Sequence, residues 1–112
     1  MGRSSLPSMI LELAILNVRH GERRQFEEAF GEAKSIISAA AGFDHLELRR
    51  CLENPDRYVL LVAWDHLEDH TEGFRGSEAY QLWRSLLHHF YDPFPVVEHY
   101  EPVVEIGRPG PR

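Results

Sequence analysis

The spacing of hydrophobic and polar residues changes several times along the chain, and each change predicts a new element. Residues 9–18 form an apolar run of strand length whose only polar members are Glu12 and Asn17. Over residues 26–40, apolar side chains recur at steps of three and four with charged residues between them. This spacing predicts an amphipathic helix. Gly42 stands where a left-handed C-terminal cap would end it.

The middle of the chain predicts two further strands. Residues 45–52 alternate between apolar and polar side chains, which is typical of a strand, and the turn-forming residues 53–56 follow. The apolar run 58–64 is continuous and predicts a third strand that is buried on both faces.

A broken helix and a last strand complete the pattern. Asp65 can cap a short helix that starts at about His66 and is interrupted by Gly73 and Gly76. Ser77 can cap a second helical piece, and residues 96–104 predict an edge strand because they contain Pro102. The second piece has an apolar stripe made of Ala79, Leu82, Trp83, Leu86 and Phe90.

The predicted order is strand, helix, strand, strand, helix, strand. This order is that of the α+β, ferredoxin-like βαββαβ fold with a four-stranded antiparallel sheet. Right-handed connections place both helices on one face of that sheet. Residues 9–104 are the predicted domain, with a flexible leader at 1–8 and a flexible tail at 105–112.

The two central strands are apolar on both faces, which an antiparallel sheet with one wet face would not be. Two helices cover only one face, so the other is left as a large apolar surface. Such surfaces are usually covered by a partner. The sequence therefore predicts a homodimer that packs sheet to sheet and extends the fold to a dimeric α+β barrel. The alternative is that the chain ends fold over the sheet, but the leader is short and polar.

Composition narrows the function classes. The 112 residues include 18 acidic and 12 basic side chains, a net charge of −6, which argues against a nucleic-acid partner. The apolar runs are too short to cross a membrane, and none follows a basic start as in a signal peptide. Cys51 is the single cysteine, so an internal disulfide is excluded. We expect a cytoplasmic protein.

Three stretches resemble the antibiotic biosynthesis monooxygenase domain: residues 64–77, residues 83–84 and residues 94–102. The order of strands and helices agrees with that family over residues 9–104. The resemblance implies a dimeric α+β barrel with a ligand cavity in each subunit, between the sheet and the helices. The family includes cofactor-independent oxygenases that convert polycyclic phenols to quinones, haem-degrading enzymes and small-molecule isomerases, so the fold leaves the reaction open.

The resemblance implies a site in and after the broken helix. His70 is the candidate base, because histidine titrates near neutral pH, and Arg75 is the candidate stabiliser of an oxyanion. The candidate substrate-binding walls are Trp64, Phe74, Tyr80 and Trp83. Secondary candidates are Asn17, Tyr58, His99 and Tyr100. The alternative is that the aromatic residues are only core and that His70 is a surface histidine beside Asp69 and Glu72.

No cofactor is expected. His66 and His70 are four residues apart, as zinc ligands on a helix are, but Leu67 stands where a metalloprotease has its glutamate. Relative to the haem-degrading members, Ala14 and Trp83 stand where an asparagine and the proximal histidine would be. The resemblance thus implies a cofactor-independent monooxygenase of a small aromatic or phenolic metabolite, in preference to a haem-degrading one. The alternatives are a non-catalytic or stress-related ligand-binding dimer and a structural domain without a cavity.

Overall fold

Four strands and two helices follow one another in the predicted order. The computed structural model describes residues 9–109, so the predicted leader and residues 110–112 of the predicted tail lie outside the described part. The elements are β1 (Ile10–Asn17), α1 (Arg23–Ile37), β2 (Phe43–Arg50), β3 (Arg57–Trp64), a π-helical turn (Asp69–Phe74), α2 (Glu78–Leu87), a 3-10 turn (His88–Phe90) and β4 (Val97–Tyr100). No helix of residues 9–109 has the length and apolar composition needed to span a bilayer.

The strands form one antiparallel sheet in the order β2-β3-β1-β4. This topology confirms the ferredoxin-like α+β prediction. β4 lies at an edge, as expected, but it is much shorter than the predicted strand 96–104. Its ladder with β1 ends where Tyr100 pairs with Leu11, one residue from Ile10 at the start of β1, so β4 stops where its partner strand begins. Residues 101–109 contain no helix or strand and are exposed.

Two other boundaries differ from the sequence prediction. The helix α1 ends at Ile37, before the expected cap. Gly42 does have a left-handed backbone, with φ +82°, but it lies in the turn that leads into β2. There the Phe43 amide donates to the Ala40 carbonyl. β2 runs from Phe43 to Arg50 rather than over 45–52, and Leu52 is 90% exposed in the following turn.

The segment between β3 and α2 is irregular, as its two glycines predict. Asp65 does not cap it. Instead, the Asp69 carboxylate accepts a hydrogen bond from the His66 amide at 3.1 Å. Ser77 caps α2 as predicted, because its hydroxyl oxygen accepts from the Tyr80 amide at 3.2 Å. The predicted apolar stripe needs one correction: Leu82 is exposed, and Trp83 and Leu87 are the buried residues of α2.

The sheet has a buried inner face and an outer face. Alternation along β1 places Glu12, Ala14 and Leu16 inward, and alternation along β3 does the same for Tyr58, Leu60, Val62 and Trp64. Helices α1 and α2 pack over these residues to form the core. The side chains of the outer face are less buried, and Leu11 and Ile15 are 36% and 42% exposed.

The difference in burial between Leu87 and Leu52 predicts that alanine substitutions at these two positions change the free energy of unfolding by different amounts. Leu87 is fully buried, so Leu87→Ala should lower the free energy of unfolding by about 2–5 kcal/mol through lost burial and a cavity. Leu52→Ala, the matched control in an exposed turn, should change it by less than about 0.5 kcal/mol. Urea unfolding followed by circular dichroism measures both. Equal effects of the two variants would contradict this description of the core.

Candidate functional site

A cavity of about 370 Å³ lies between the inner face of the sheet and α2. This volume is near the lower end of the range for small-molecule sites, about 300–1,000 Å³. Its sheet side is formed by Glu12, Ala14, Leu16, Leu60 and Val97, and its aromatic side chains are Phe74, Tyr80, Trp83, Tyr91 and Phe94. His70, Arg75 and His88 add nitrogen atoms to this lining. The cavity combines apolar surface with a few titratable groups, as ligand sites usually do.

A buried carboxylate lies in the wall that the sheet provides. Glu12 is 5% exposed, and the Trp64 indole N–H donates a hydrogen bond to its Oε1 at 2.9 Å. Nε2 of His70 is 3.4 Å from the same oxygen. Burial raises the pKa of Glu12, while the Trp64 hydrogen bond and the positive charge of Arg75 act in the opposite direction. The carboxyl group therefore holds a proton more strongly than an exposed glutamate.

His70, which faces Glu12, is also buried. It lies on the π-helical turn, is 3% exposed and stacks on Trp64 with ring centroids 5.4 Å apart. Burial, followed by the charges of Arg75 and His99, lowers the pKa of His70 to about 3. The imidazole is therefore neutral at physiological pH.

The second nitrogen of His70 faces His99 on β4. His70 Nδ1 and His99 Nε2 are 2.8 Å apart, so one of the two donates a hydrogen bond to the other. A proton on His70 Nε2 would face Glu12 and leave Nδ1 to accept from His99; this tautomer is assigned from the contacts. The β1–β4 register pairs Glu12 with His99, which explains why both reach the same histidine. We refer to Glu12, His70 and His99 as the Glu–His–His cluster.

Arg75 supplies the positive charge of the site. It follows the π-helical turn, lines the cavity and is exposed to solvent on one side. Its charge lowers the pKa of Glu12, His70 and His99. A fixed cation at the edge of a cavity favours negative charge on a bound molecule.

The structure brings together most of the residues singled out in the sequence. His70, Arg75, Phe74, Tyr80 and Trp83 line one cavity. Trp64 instead lies behind the wall, fully buried, where it contacts Glu12 and His70.

The structure also separates the secondary candidates. His99 belongs to the cluster. Tyr58 donates to Glu27 and Tyr100 donates to Glu98, so their hydroxyl groups are engaged outside the cavity lining.

Two alternatives from the sequence are wrong. His70 is not a surface histidine, because it is nearly inaccessible to solvent. The aromatic residues do not fill the space under α2, because a cavity remains there.

Glu12 is the site residue that sequence reasoning missed. In the sequence it is one of two polar residues in the apolar run 9–18. Its position has the same parity as Ala14 and Leu16, so alternation places these three side chains on one face, but both faces of the strand are apolar and the sequence does not show which one the helices cover.

Within residues 9–109, no group of three His, Cys, Asp or Glu side chains is arranged to hold a metal ion. His66 is exposed and contacts Asp69, whereas His70 faces Glu12, so this pair does not converge on one point.

A sequence profile described as antibiotic biosynthesis monooxygenase matches residues 9–86, which is more than half of the chain. The chain belongs to this family. The matched range contains Glu12, His70, Arg75 and Trp83, whereas His88 and His99 lie beyond it.

The chain is also similar to one curated protein and to several solved structures. The uncharacterized protein YczJ of Bacillus subtilis strain 168 is 50% identical over 95 residues, which are 85% of this chain and 100% of YczJ. A Bordetella bronchiseptica structure, provisionally named an antibiotic biosynthesis monooxygenase, is 33% identical with a TM-score of 0.82; the match covers 87% of this chain and 99% of that one. SnoaB of Streptomyces nogalater, a cofactor-independent oxygenase, is 18% identical with a TM-score of 0.65 and shares the fold, over 92% of this chain and 99% of its own.

The burial of His70 predicts that the free energy of unfolding depends on pH. The pKa of His70 is lower in the folded protein than in the unfolded chain, so the unfolded state binds more protons between about pH 3 and pH 6.5. The contribution of His70 to stability is therefore lost as the pH falls through that window, with a limiting slope of about 1.4 kcal/mol per pH unit. Glu12 acts in the opposite sense, because its pKa is raised.

The measurement is urea unfolding between about pH 4 and pH 6.5. His70→Gln should make the free energy of unfolding less dependent on pH, whatever its effect on the absolute value. His20→Gln is the control, since that side chain is 95% exposed, and it should leave the slope unchanged. A slope that is the same in all three proteins would show that His70 is not buried in its neutral form.

Proposed function

We propose that the protein is a cofactor-independent monooxygenase that acts on a small aromatic or phenolic metabolite. The observation that carries the proposal is the aromatic-lined cavity with a neutral buried histidine, a buried carboxylate and an arginine in its walls. Membership of the monooxygenase family supports oxygen chemistry. The fold shared with SnoaB, which is a cofactor-independent oxygenase, supports it by analogy.

The proposed reaction needs an acidic substrate and dioxygen. Removal of a proton from a methylene carbon activated by a phenol gives a carbanion that can transfer one electron to dioxygen. The substrate radical and superoxide then combine, and the hydroperoxide loses water. Overall, R₂CH₂ + O₂ gives R₂C=O + H₂O, so one oxygen atom enters the carbonyl group and the other leaves in water. The substrate supplies all the electrons, and the proposal includes no cofactor.

The roles of the individual residues are proposals as well. His70 is the acid–base centre: it is neutral, and protonation of its ring would be stabilised by Glu12. Arg75 stabilises the anion that forms when the proton leaves. Phe74, Tyr80 and Trp83 hold the aromatic ring, while Trp64 supports the wall from behind.

We also propose that the functional unit is a homodimer formed through the outer faces of two sheets. The centre of this face is apolar, because β1 presents Leu11, Leu13 and Ile15 opposite Ala63, Leu61 and Val59 of β3. Charged residues flank it on both sides, with Glu47 and Arg49 on β2 and Glu98 on β4. An apolar centre with a polar rim is the usual anatomy of a protein interface. The proposed compartment is the cytoplasm, which would keep Cys51 reduced.

The second candidate function is ligand binding without turnover. One observation favours it: both ring nitrogens of His70 face other residues, and its low pKa makes the ring a weak base. A cavity of this kind could hold an aromatic molecule and leave it unchanged.

Oxygen consumption separates the two functions. With an anthrone or hydroquinone as substrate, the purified protein should consume dioxygen. His70→Ala should lower the rate by about 10²- to 10⁴-fold, the usual contribution of acid–base catalysis. His20→Ala is the matched control on an exposed histidine and should leave the rate unchanged. No oxygen uptake with any of these compounds, together with ligand binding by His70→Ala that equals the wild type, would reject the monooxygenase proposal.

The proposed dimer predicts the effect of a charge on the outer face. Leu61→Asp should convert the dimer to monomers of 13.0 kDa, because each chain would bury a carboxylate without a partner in the apolar centre of the interface. Leu52→Asp, in the exposed turn after β2, should leave the dimer intact. Sedimentation velocity over a range of concentrations measures the mass. A wild-type protein that stays monomeric at high concentration would contradict the proposed dimer.

A further inference from the structure

Oε2 of Glu12 makes none of the contacts described above for the Glu–His–His cluster. Oε1 of Glu12 receives the Trp64 hydrogen bond and faces His70. Within residues 9–109, Oε2 has no hydrogen-bond partner, although the side chain is more than nine-tenths buried and lines the cavity. A buried carboxylate oxygen without a partner is costly, because it has lost its hydration. A ligand that donates a hydrogen bond would remove that cost.

The ring nitrogens of His70 and His99 are less available than Glu12 Oε2 for a hydrogen bond with a ligand. His70 has one ring nitrogen opposite Glu12 and the other opposite His99. His99 lies on the edge strand β4 and is not part of the cavity lining. Glu12 is therefore the acceptor of the cluster that a bound molecule can reach without breaking an existing contact.

Neighbouring groups keep the Glu12 carboxylate in a defined position. The Trp64 N–H holds Oε1 in a hydrogen bond, and Trp64 itself is fixed by full burial and by stacking on His70. The positive charge of Arg75 offsets part of the rise that burial causes in the pKa of the carboxyl group, and it so favours the ionised, accepting form. The position of an acceptor that is pre-arranged in this way selects ligands by where they carry a donor.

From this arrangement we propose that Glu12 Oε2 is the ligand-contacting acceptor of the cavity and that it selects neutral aromatic hydroxyl compounds over aromatic carboxylates. A phenol or enol donates its O–H to Oε2, and His70, the acid–base centre of the proposed reaction, lies behind the carboxylate. In the proposed oxygenation, the substrate proton would pass to Oε2 first. The inference rests on the proposed function only in treating this cavity as the substrate site.

A pair of probes of the same shape tests the hydroxyl preference. 4-Nitrophenol donates a hydrogen bond, whereas 4-nitroanisole carries a methyl group in place of the hydroxyl proton. Binding to the wild-type protein is measured by calorimetry below the pKa of the phenol. The phenol should bind at least about tenfold more tightly, because a hydrogen bond to a charged acceptor is among the stronger ones. Equal affinities, or no binding of either probe, would overturn the proposal.

Glu12→Gln tests the carboxylate itself. It keeps the shape of the side chain and an oxygen that can accept from Trp64, but it presents an amide N–H₂ to the cavity. The preference for 4-nitrophenol over the anisole should fall to less than about threefold, and 4-nitrobenzoate should bind at least about tenfold more tightly than it does to the wild type. Glu28→Gln, which makes the same change at an exposed position of α1, should behave as the wild type does.

Two results would overturn the assignment. One is tight binding of 4-nitrobenzoate to the wild type, which would mean that Arg75 governs ligand choice. The other is a Glu12→Gln protein that folds, as judged by circular dichroism, and keeps the full phenol preference. The wild-type probe pair decides the question even where the variant does not fold. A clear phenol preference without oxygen uptake would reject the proposed reaction and leave this inference standing.

Discussion

The arrangement of the site depends on the contacts of one carboxylate, that of Glu12, which is buried on the inner face of the sheet. A buried carboxylate is costly unless donors and positive charge compensate for its lost hydration. Here the compensation comes from different parts of the chain: the indole of Trp64 at the end of β3, His70 on the π-helical turn and Arg75 after it. The link from His70 to His99 adds the edge strand β4. The contacts of this one carboxyl group thus link three strands and the irregular segment to one another.

The irregular backbone between β3 and α2 allows these contacts. A π-helical turn is wider than an α-helical one, and such turns are frequent at functional sites. In this turn both His70 and Phe74 are buried and line the cavity, and Arg75 follows at its edge. The turn then closes tightly: a Cβ atom at Gly76 would lie 2.5 Å from the Glu72 carbonyl oxygen, so a side chain would not fit there without a shift. The cap at Ser77 then starts α2 in the direction that places Trp83 over the sheet.

Local patterns predicted the elements, and contacts between distant residues decided the details. The apolar runs of β1 and β3 and the alternation in β2 were sufficient for the order of elements along the chain. Ser77 was recognisable as a cap because its effect reaches only three residues along the chain. The end of β4 was not predictable in this way, because it depends on where the neighbouring strand, β1, begins. His99 could be named as a candidate but not joined to His70, since that contact spans 29 residues. Glu12 was not predictable as a site residue, because both faces of β1 are apolar and alternation alone does not show which face the helices cover.

The two faces of β1 explain how one strand can serve both a site and an interface. Its inward positions are Glu12, Ala14 and Leu16, and its outward positions Leu11, Leu13 and Ile15 are all apolar. A shift of the strand by one residue would exchange the two sets. Glu12 would then lie on the outer face without Trp64 and His70, and the apolar outer residues would crowd the cavity. The same carboxylate that makes the cavity polar therefore also stabilises the register of the strand that carries it. A sequence made only of apolar residues in β1 would lack this control, because both faces would then be nearly equivalent.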